Sequence, residues 1–196
     1  MLSKKIETQL LSPNLSEPSE VANQQDFIKI YSFFNGRNML IRLAKLIYRG
    51  SEHENSPKAF YNRCNGISNC MAIIRTSNNK LVGGFSPLPL VYHDEEEIGE
   101  KGKWAEDKTN TSFIFNITAL RSYNLKDSER ALRYLPGRAG PSFGKDLEID
   151  TVATSNLGHS YEGEVKLGVD SMEARLVLLE SAKAEIKDIE IWQLSF

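Results

Sequence analysis

The apolar positions first fall into a helical period between residues 23 and 36. Phe27, Ile30, Tyr31 and Phe34 stand at i, i+3, i+4 and i+7, so all four share one helix face, and Asn35-Gly36 supplies a C-terminal stop. Met39, Leu40, Leu43, Leu46 and Ile47 make a second stripe, with Arg37, Arg42 and Lys45 across from it; this predicts a second helix with a basic outer side. Ser56-Pro57 is an N-cap followed by proline at the first helical position, and Phe60, Tyr61 and Cys64 recur at helical spacing before Asn65-Gly66.

Beyond residue 66 the period changes to that of strands. Cys70 to Arg75, a turn at Asn78-Asn79 and Lys80 to Phe85 read as a hairpin, in which the pair Gly83-Gly84 marks a bulge or the close approach of another backbone. Residues 86–110, with Pro87, Pro89 and the acidic run Asp94 to Glu97, form a long excursion. Further strands are predicted at 112–117, 147–152, 163–169, 173–179 and 184–194, a short helix at 128–134 and a turn-rich stretch at 137–144. Helices cluster early and strands follow. That order disfavours parallel βαβ winding and predicts an α+β, mainly β fold: a two-sheet antiparallel sandwich with helices packed at its N-terminal side.

Length divides the chain into one domain and an appendage. Of 196 residues, 1–22 are polar and carry Pro13, Pro18 and four serines, too little apolar surface to offset the cost of ordering alone, so they read as a tail that becomes ordered by docking on a partner. Residues 23–36 are then a leading helix and 37–196 the domain proper. Twenty-four basic against 26 acidic residues leave a formal charge of −2, with no general field to attract nucleic acid. Only Cys64 and Cys70 are present, which excludes a disulfide framework and a four-cysteine zinc site. The start of the chain lacks the apolar run of a secretory signal, and no stretch is long enough to span a bilayer. The expected location is therefore cytoplasmic, including the cytoskeleton or an organelle surface, with no membrane insertion.

Candidate chemistry is sparse. Gly140 to Asp146 has three residues between its glycines and Asp146 after Lys145, so it is not a P-loop, and Ser142 is preceded by proline and followed by a strand, the wrong setting for a nucleophile elbow. His53, His93 and His159 are too scattered for a zinc site, and the acidic stretch 94–100 lacks the spacing of a calcium loop; neither metal nor cofactor is expected. Cys64 is the redox candidate, since Arg63 beside it favours a thiolate, although its spacing from Phe60 turns it toward the buried face. An enzymatic reading requires carboxylates such as Glu52, Glu54 or Glu190 to converge in a pocket.

Several of these pieces together resemble a known family. Leu46-Ile47-Tyr48-Arg49-Gly50-Ser51, then Ser56-Pro57-Lys58-Ala59-Phe60-Tyr61-Asn62-Arg63-Cys64-Asn65-Gly66, resemble the opening of the TLDc domain. Val82-Gly83-Gly84-Phe85 is similar to its glycine-pair strand, Ser112-Phe113-Ile114-Phe115 to its central strand, Gly140-Pro141-Ser142-Phe143-Gly144 to its glycine-proline corner, and Ile186 to Ile191, including Glu190, to its closing strand. The resemblance implies a two-sheet sandwich with flanking helices, found in oxidation-resistance proteins and related cytosolic adaptors, some of which bind the V-type proton pump. It brings no established catalytic mechanism. The function it implies is a non-catalytic protein–protein interaction module within a larger assembly; protection from oxidative stress through Cys64 and an uncharacterised carboxylate enzyme are the alternatives. Phe27, Tyr31, Phe34, Arg37, Arg42, Lys45 and Arg49 are the candidate binding residues.

Overall fold

A computed structural model describes residues 14–163, 168 and 170–196. Helix α1 spans Gln24–Asn35; Asn23 caps it by accepting from the Asp26 amide, while Asp26 accepts from the Asn23 amide in return. The segment expected to form a second helix is instead strand β1, Leu43–Arg49, paired antiparallel with the closing strand of the chain. Its apolar positions fit either period, and tertiary pairing decides between them. A bulge between Leu46 and Tyr48 shifts the alternation, so Ala44 and Leu46 pack on one core while Ile47 and Tyr48 pack on the other.

Helix α2, Pro57–Cys64, and the hairpin of β2, Cys70–Thr76, with β3, Leu81–Ser86, follow as their sequence signals predict. The excursion after β3 holds a single-turn helix α3, Glu95–Ile98, and a short strand β4, Lys103–Ala105. Strands β5, Phe113–Asn116, and β6, Arg121–Asn124, form the next hairpin. The helix expected at 128–134 is only a 3-10 turn, Ser128–Arg130, because the chain then extends as β7, Leu132–Tyr134, to pair with β4. Strands β8, Ser142–Phe143, β9, Leu147–Ile149, and β10, Val152–Ser155, make a small antiparallel arm. Helix α4, Met172–Leu176, capped by Ser171, replaces the strand expected at 173–179. The strand expected at 163–169 falls for the most part outside the described residues.

Strand β11, Lys183–Ser195, joins everything. Its C-terminal half lies between β2 and β1, and its N-terminal end pairs with β10, giving the order β6-β5-β3-β2-β11-β10-β9-β8 with β1 also on β11. The fold is thus α+β and mainly β, with nine strands in the large antiparallel sheet and two in the small one among the described residues.

Both faces of the central strands are covered, which is why β2 is continuously apolar. Met71 and Ile73 point into a core under α1, where Phe34 meets the rings of Phe85 and Phe113 at 5.1 and 4.8 Å and Phe27 meets Trp192 at 5.4 Å. Each such fully buried phenylalanine contributes about 1.5–3 kcal/mol. Cys70, Ala72 and Ile74 point the other way, where the β8–β10 arm folds back over the sheet through Phe143, Leu147, Ile149 and Ala153. The glycine pair sits beneath two aromatic rings, one from the arm and one from the neighbouring strand β5. A Cβ on Gly84 would stand 2.8 Å from the Phe143 ring, and one on Gly83 would stand 2.9 Å from the Phe115 ring.

Residues 14–22, grouped by composition with the polar tail, lie on the chain's own sheet. The Ser16 amide donates to the Ala44 carbonyl at 2.9 Å and the Ala44 amide to the Asn14 carbonyl at 2.9 Å, a short parallel bridge that covers the free edge of β1. Val21 and Ala22 are buried. Of the tail 1–22 expected to dock on a partner, residues 14–22 thus dock on this chain itself, and residues 1–13 lie outside the described residues.

Candidate functional site

Glu190, on β11, is fully buried and accepts four hydrogen bonds. Its Oε1 accepts from Arg49 Nε at 2.9 Å and from the Glu20 amide at 2.8 Å; its Oε2 accepts from Ser19 Oγ at 2.6 Å and from Trp192 Nε1 at 3.1 Å. Arg49, on β1 and itself buried, donates through Nη1 to Glu52 at 2.5 Å and through Nη2 to the Pro18 carbonyl at 2.7 Å. Burial alone would lower the Arg49 pKa; its hydrogen bonds to Glu190 and Glu52 outweigh that and hold it above the ordinary value. Strap 18–22 is therefore clamped between two strands by one ion pair, and Arg75 adds two bonds to the Val21 carbonyl, at 2.9 and 2.6 Å. Of the carboxylates considered for catalysis, Glu52 and Glu190 do meet, but on the Arg49 guanidinium, in a network that holds the strap; Glu54 is exposed.

The glycine-proline corner is the second polar assembly. Asp146, fully buried, accepts the amides of Gly158 at 2.7 Å, His159 at 2.9 Å and Ser160 at 2.7 Å, which pins loop 156–161 to the corner. Burial raises its pKa beyond what those amides offset. Gly140 leaves no room for a side chain against Ile149, where a Cβ would come within 2.6 Å of Cγ2, and Gly144 has φ +61°. Pro141 accepts from the Ile149 amide through its carbonyl, and Ser142 and Phe143 are buried strand residues opposite Glu148 and Leu147. These five residues build a corner rather than a nucleophile elbow.

The candidate binding residues separate into two groups. Phe27, Tyr31 and Phe34 form the buried face of α1. Arg37 lies 4.0 Å from the Phe113 ring centroid and donates to the Phe33 carbonyl, Ser122 Oγ and Asn124 Oδ1, stapling the end of α1 to β6. Arg49 is the clamp just described. Arg42 and Lys45 remain on the surface beside Leu40, a leucine that is 69% exposed.

Cys64 and Cys70 are free and buried. Burial pushes the Cys64 thiol far up, with Cys70 adding to it and Arg63 lowering it only in part; burial takes Cys70 to about 12. Both therefore stand as thiols at neutral pH, the reverse of what thiolate chemistry requires. The acidic run becomes α3, with Asp94 capping the Glu97 amide and His93 Nδ1 3.2 Å from Glu97 Oε2. Among the described residues no three or more His, Cys, Asp or Glu side chains converge to hold a metal, and no helix is long and apolar enough to cross a membrane.

Two features lay outside the sequence reading. Asp107, fully buried, accepts from Thr109 N and Oγ1, Thr111 N and Ser112 N; burial would raise its pKa, and the bonds from Thr109 and Ser112 bring it below the ordinary value. Its signal was available in Asp-x-Thr-x-Thr-Ser, the spacing of an Asx turn. The other is a group of basic side chains around Trp104, drawn from stretches too far apart in sequence to signal each other.

A family model described as TLDc domain matches residues 15–195, and no curated protein matches the chain. The matched span begins where the strap joins β1 and includes every contact of the Arg49–Glu190 clamp.

Proposed function

Because the chain belongs to the TLDc domain family, the family of the oxidation-resistance and TLD proteins, we propose that it works as a non-catalytic protein–protein interaction module. Its place is as a component of a larger assembly: a V-type proton pump, a cytoskeletal lattice or an organellar complex reached from the cytoplasm. The observation that carries this reading is the use made of the buried ionisable groups. Glu190, Asp107 and Asp146 each accept three or more internal hydrogen bonds, and both thiols are buried. Buried charge here holds loops and the strap in place, which leaves recognition to the outer surface. On that surface Leu40, Arg42 and Lys45, at and before the start of β1, are exposed, an apolar side chain and two cations suited to an acidic partner.

The test is native fractionation of cell extract with cross-linking at Lys45. The chain should run with a complex much larger than a 196-residue monomer, and the Arg42→Glu/Lys45→Glu variant should be released from it while unfolding at the same temperature. A chain that runs as a monomer throughout overturns the proposal.

A further inference from the structure

Lys101, Arg130, Arg133 and Lys145 line one cavity of about 440 Å³, although they come from the excursion, the 3-10 turn, β7 and the corner. Trp104 organises them. The guanidinium carbons of Arg130 and Arg133 stand 5.8 and 5.5 Å from its ring centroid. Arg133 is fixed further, donating through Nε and Nη2 to the Lys101 carbonyl at 2.9 and 2.7 Å and through Nη1 to Glu148 at 3.0 Å. At the back are His159 and Ser160, held by their amides on Asp146. Ser160 is 1% exposed, and its Oγ has no hydrogen-bond partner among the described residues.

That hydroxyl is a second observation, independent of the charges. A buried polar group left unpaired costs about 1–3 kcal/mol, so its persistence at the wall of a basic cavity points to an acceptor that arrives from outside. Acidic neighbours are present but engaged: Glu148 on Arg133, Asp127 3.8 Å from Arg130, Asp170 3.2 Å from His159, and Asp146 on the loop amides. Lys101 and Lys145 have no ion-pair partner among the described residues. With Arg133 held by Glu148 and the Lys101 carbonyl and His159 by Asp170, the Arg130 guanidinium, the Lys101 and Lys145 ammonium groups and the Ser160 hydroxyl remain to donate, and together they suit the three oxygens of a phosphate monoester better than the two of a carboxylate.

We propose that this cavity binds a phosphorylated side chain presented by a partner protein, an inference that rests on the interaction-module reading and gives the partner its chemistry. The volume leaves room for the stem that carries the phosphate. With a formal charge of −2 the chain has no broad field for an anionic membrane or nucleic acid, and its basic side chains here surround a recess rather than a flat face. The Trp104 ring, already engaged by two guanidiniums, is not free to stack on a base.

The experiment titrates the purified chain with N-acetyl-phosphoserine-N-methylamide at low salt, following Trp104 fluorescence and the amide resonances of His159 and Ser160. Saturable shifts at these groups are expected, weakened at least about tenfold in Arg130→Gln and Lys145→Gln and absent with the glutamate analogue of the probe. Both substitutions alter exposed side chains, and unchanged thermal unfolding shows that the fold persists. No saturable shift, or shifts unaltered in both variants, overturns the site. Inorganic phosphate binding as tightly as the blocked phosphoserine overturns the side-chain source, as does tighter binding to vesicles of anionic lipid than to the probe. The titration needs no assembly, so its failure leaves the fractionation result standing, and a monomer in fractionation leaves the titration measurable.

Discussion

Two groups of basic residues have opposite histories in this molecule. Arg37, Arg42 and Lys45 are close in sequence and read as one basic side, with Arg49 a further binding candidate after them, yet folding disperses the four: Arg49 is buried, Arg37 is half-buried against Phe113 and β6, and only Arg42 and Lys45 keep their exposure. Lys101, Arg130, Arg133 and Lys145 span 45 residues and share no local pattern, yet they line one cavity. Proximity in sequence is therefore a poor guide to where charge accumulates in a sheet protein, because neighbouring strand positions face opposite sides and sequence-distant strands are paired.

The sharpest break in that comparison is Arg49→Ala. It leaves Glu190 buried with its charged partner gone, which costs about 3–5 kcal/mol by chemical denaturation. Arg49→Lys should recover only part of the loss, since one ammonium cannot reach Glu190, Glu52 and the Pro18 carbonyl together. A cost equal to that of a surface arginine would show that the clamp does not hold the strap. Next in size is Gly144→Ala, at about 1–3 kcal/mol: the residue has φ +61°, and an added Cβ would fall 2.5 Å from Ser160 Oγ. The same change should displace the Ser160 amide resonance, linking the corner to the cavity wall. Arg37→Ala follows, at about 1–2 kcal/mol, for the loss of its ring contact and its bonds to β6.

These effects also mark what was legible in the sequence. Helices α1 and α2 and the β2–β3 hairpin follow from period and caps alone, and the Gly83-Gly84 pair signalled crowding, although side-chain rings, Phe143 at Gly84 and Phe115 at Gly83, supply much of it where another backbone was expected. Strand β1 was misread because five apolar residues fit a helical stripe as well as an alternation interrupted by a bulge, and the strand that pairs with it lies about 140 residues away. The strap was misread for a related reason: its polar residues are satisfied by Glu190, Ala44 and Arg49, none of which a window on residues 14–22 contains. Cys64 was read correctly as facing inward, and burial then decides its ionisation against Arg63. The cavity around Trp104 had no local signal, because its members converge only after β4 pairs with β7.

The buried carboxylate behind the cavity gives a pH test. The folded-state pKa of Asp146 is raised by burial, so at pH values between its ordinary value and the raised one the native state holds a proton that the unfolded chain releases. Stability must then fall as pH climbs through that window, and Asp146→Asn should flatten this part of the profile whatever its absolute cost. Asp107 has the opposite sign. Its pKa is lowered in the fold, so its contribution is complete above the ordinary carboxylate value and is lost as pH falls below it, a slope that Asp107→Asn should remove. Urea unfolding at a series of acidic pH values reads both slopes, and equal slopes for the two variants would contradict the assigned directions.

The smallest effect tests the surface half of the comparison. Arg42 and Lys45 are exposed and take part in no side-chain hydrogen bond or ion pair among the described residues, so Arg42→Glu and Lys45→Glu should each change stability by no more than about 0.5 kcal/mol. The Arg42 carbonyl does accept from Asn14 Nδ2 at 2.9 Å, but that bond belongs to the backbone and survives the substitution. A loss above 1 kcal/mol in denaturant would place these side chains with Arg37 and Arg49 as parts of the fold, and the expected neutrality is what allows the same variants to report on partner binding alone.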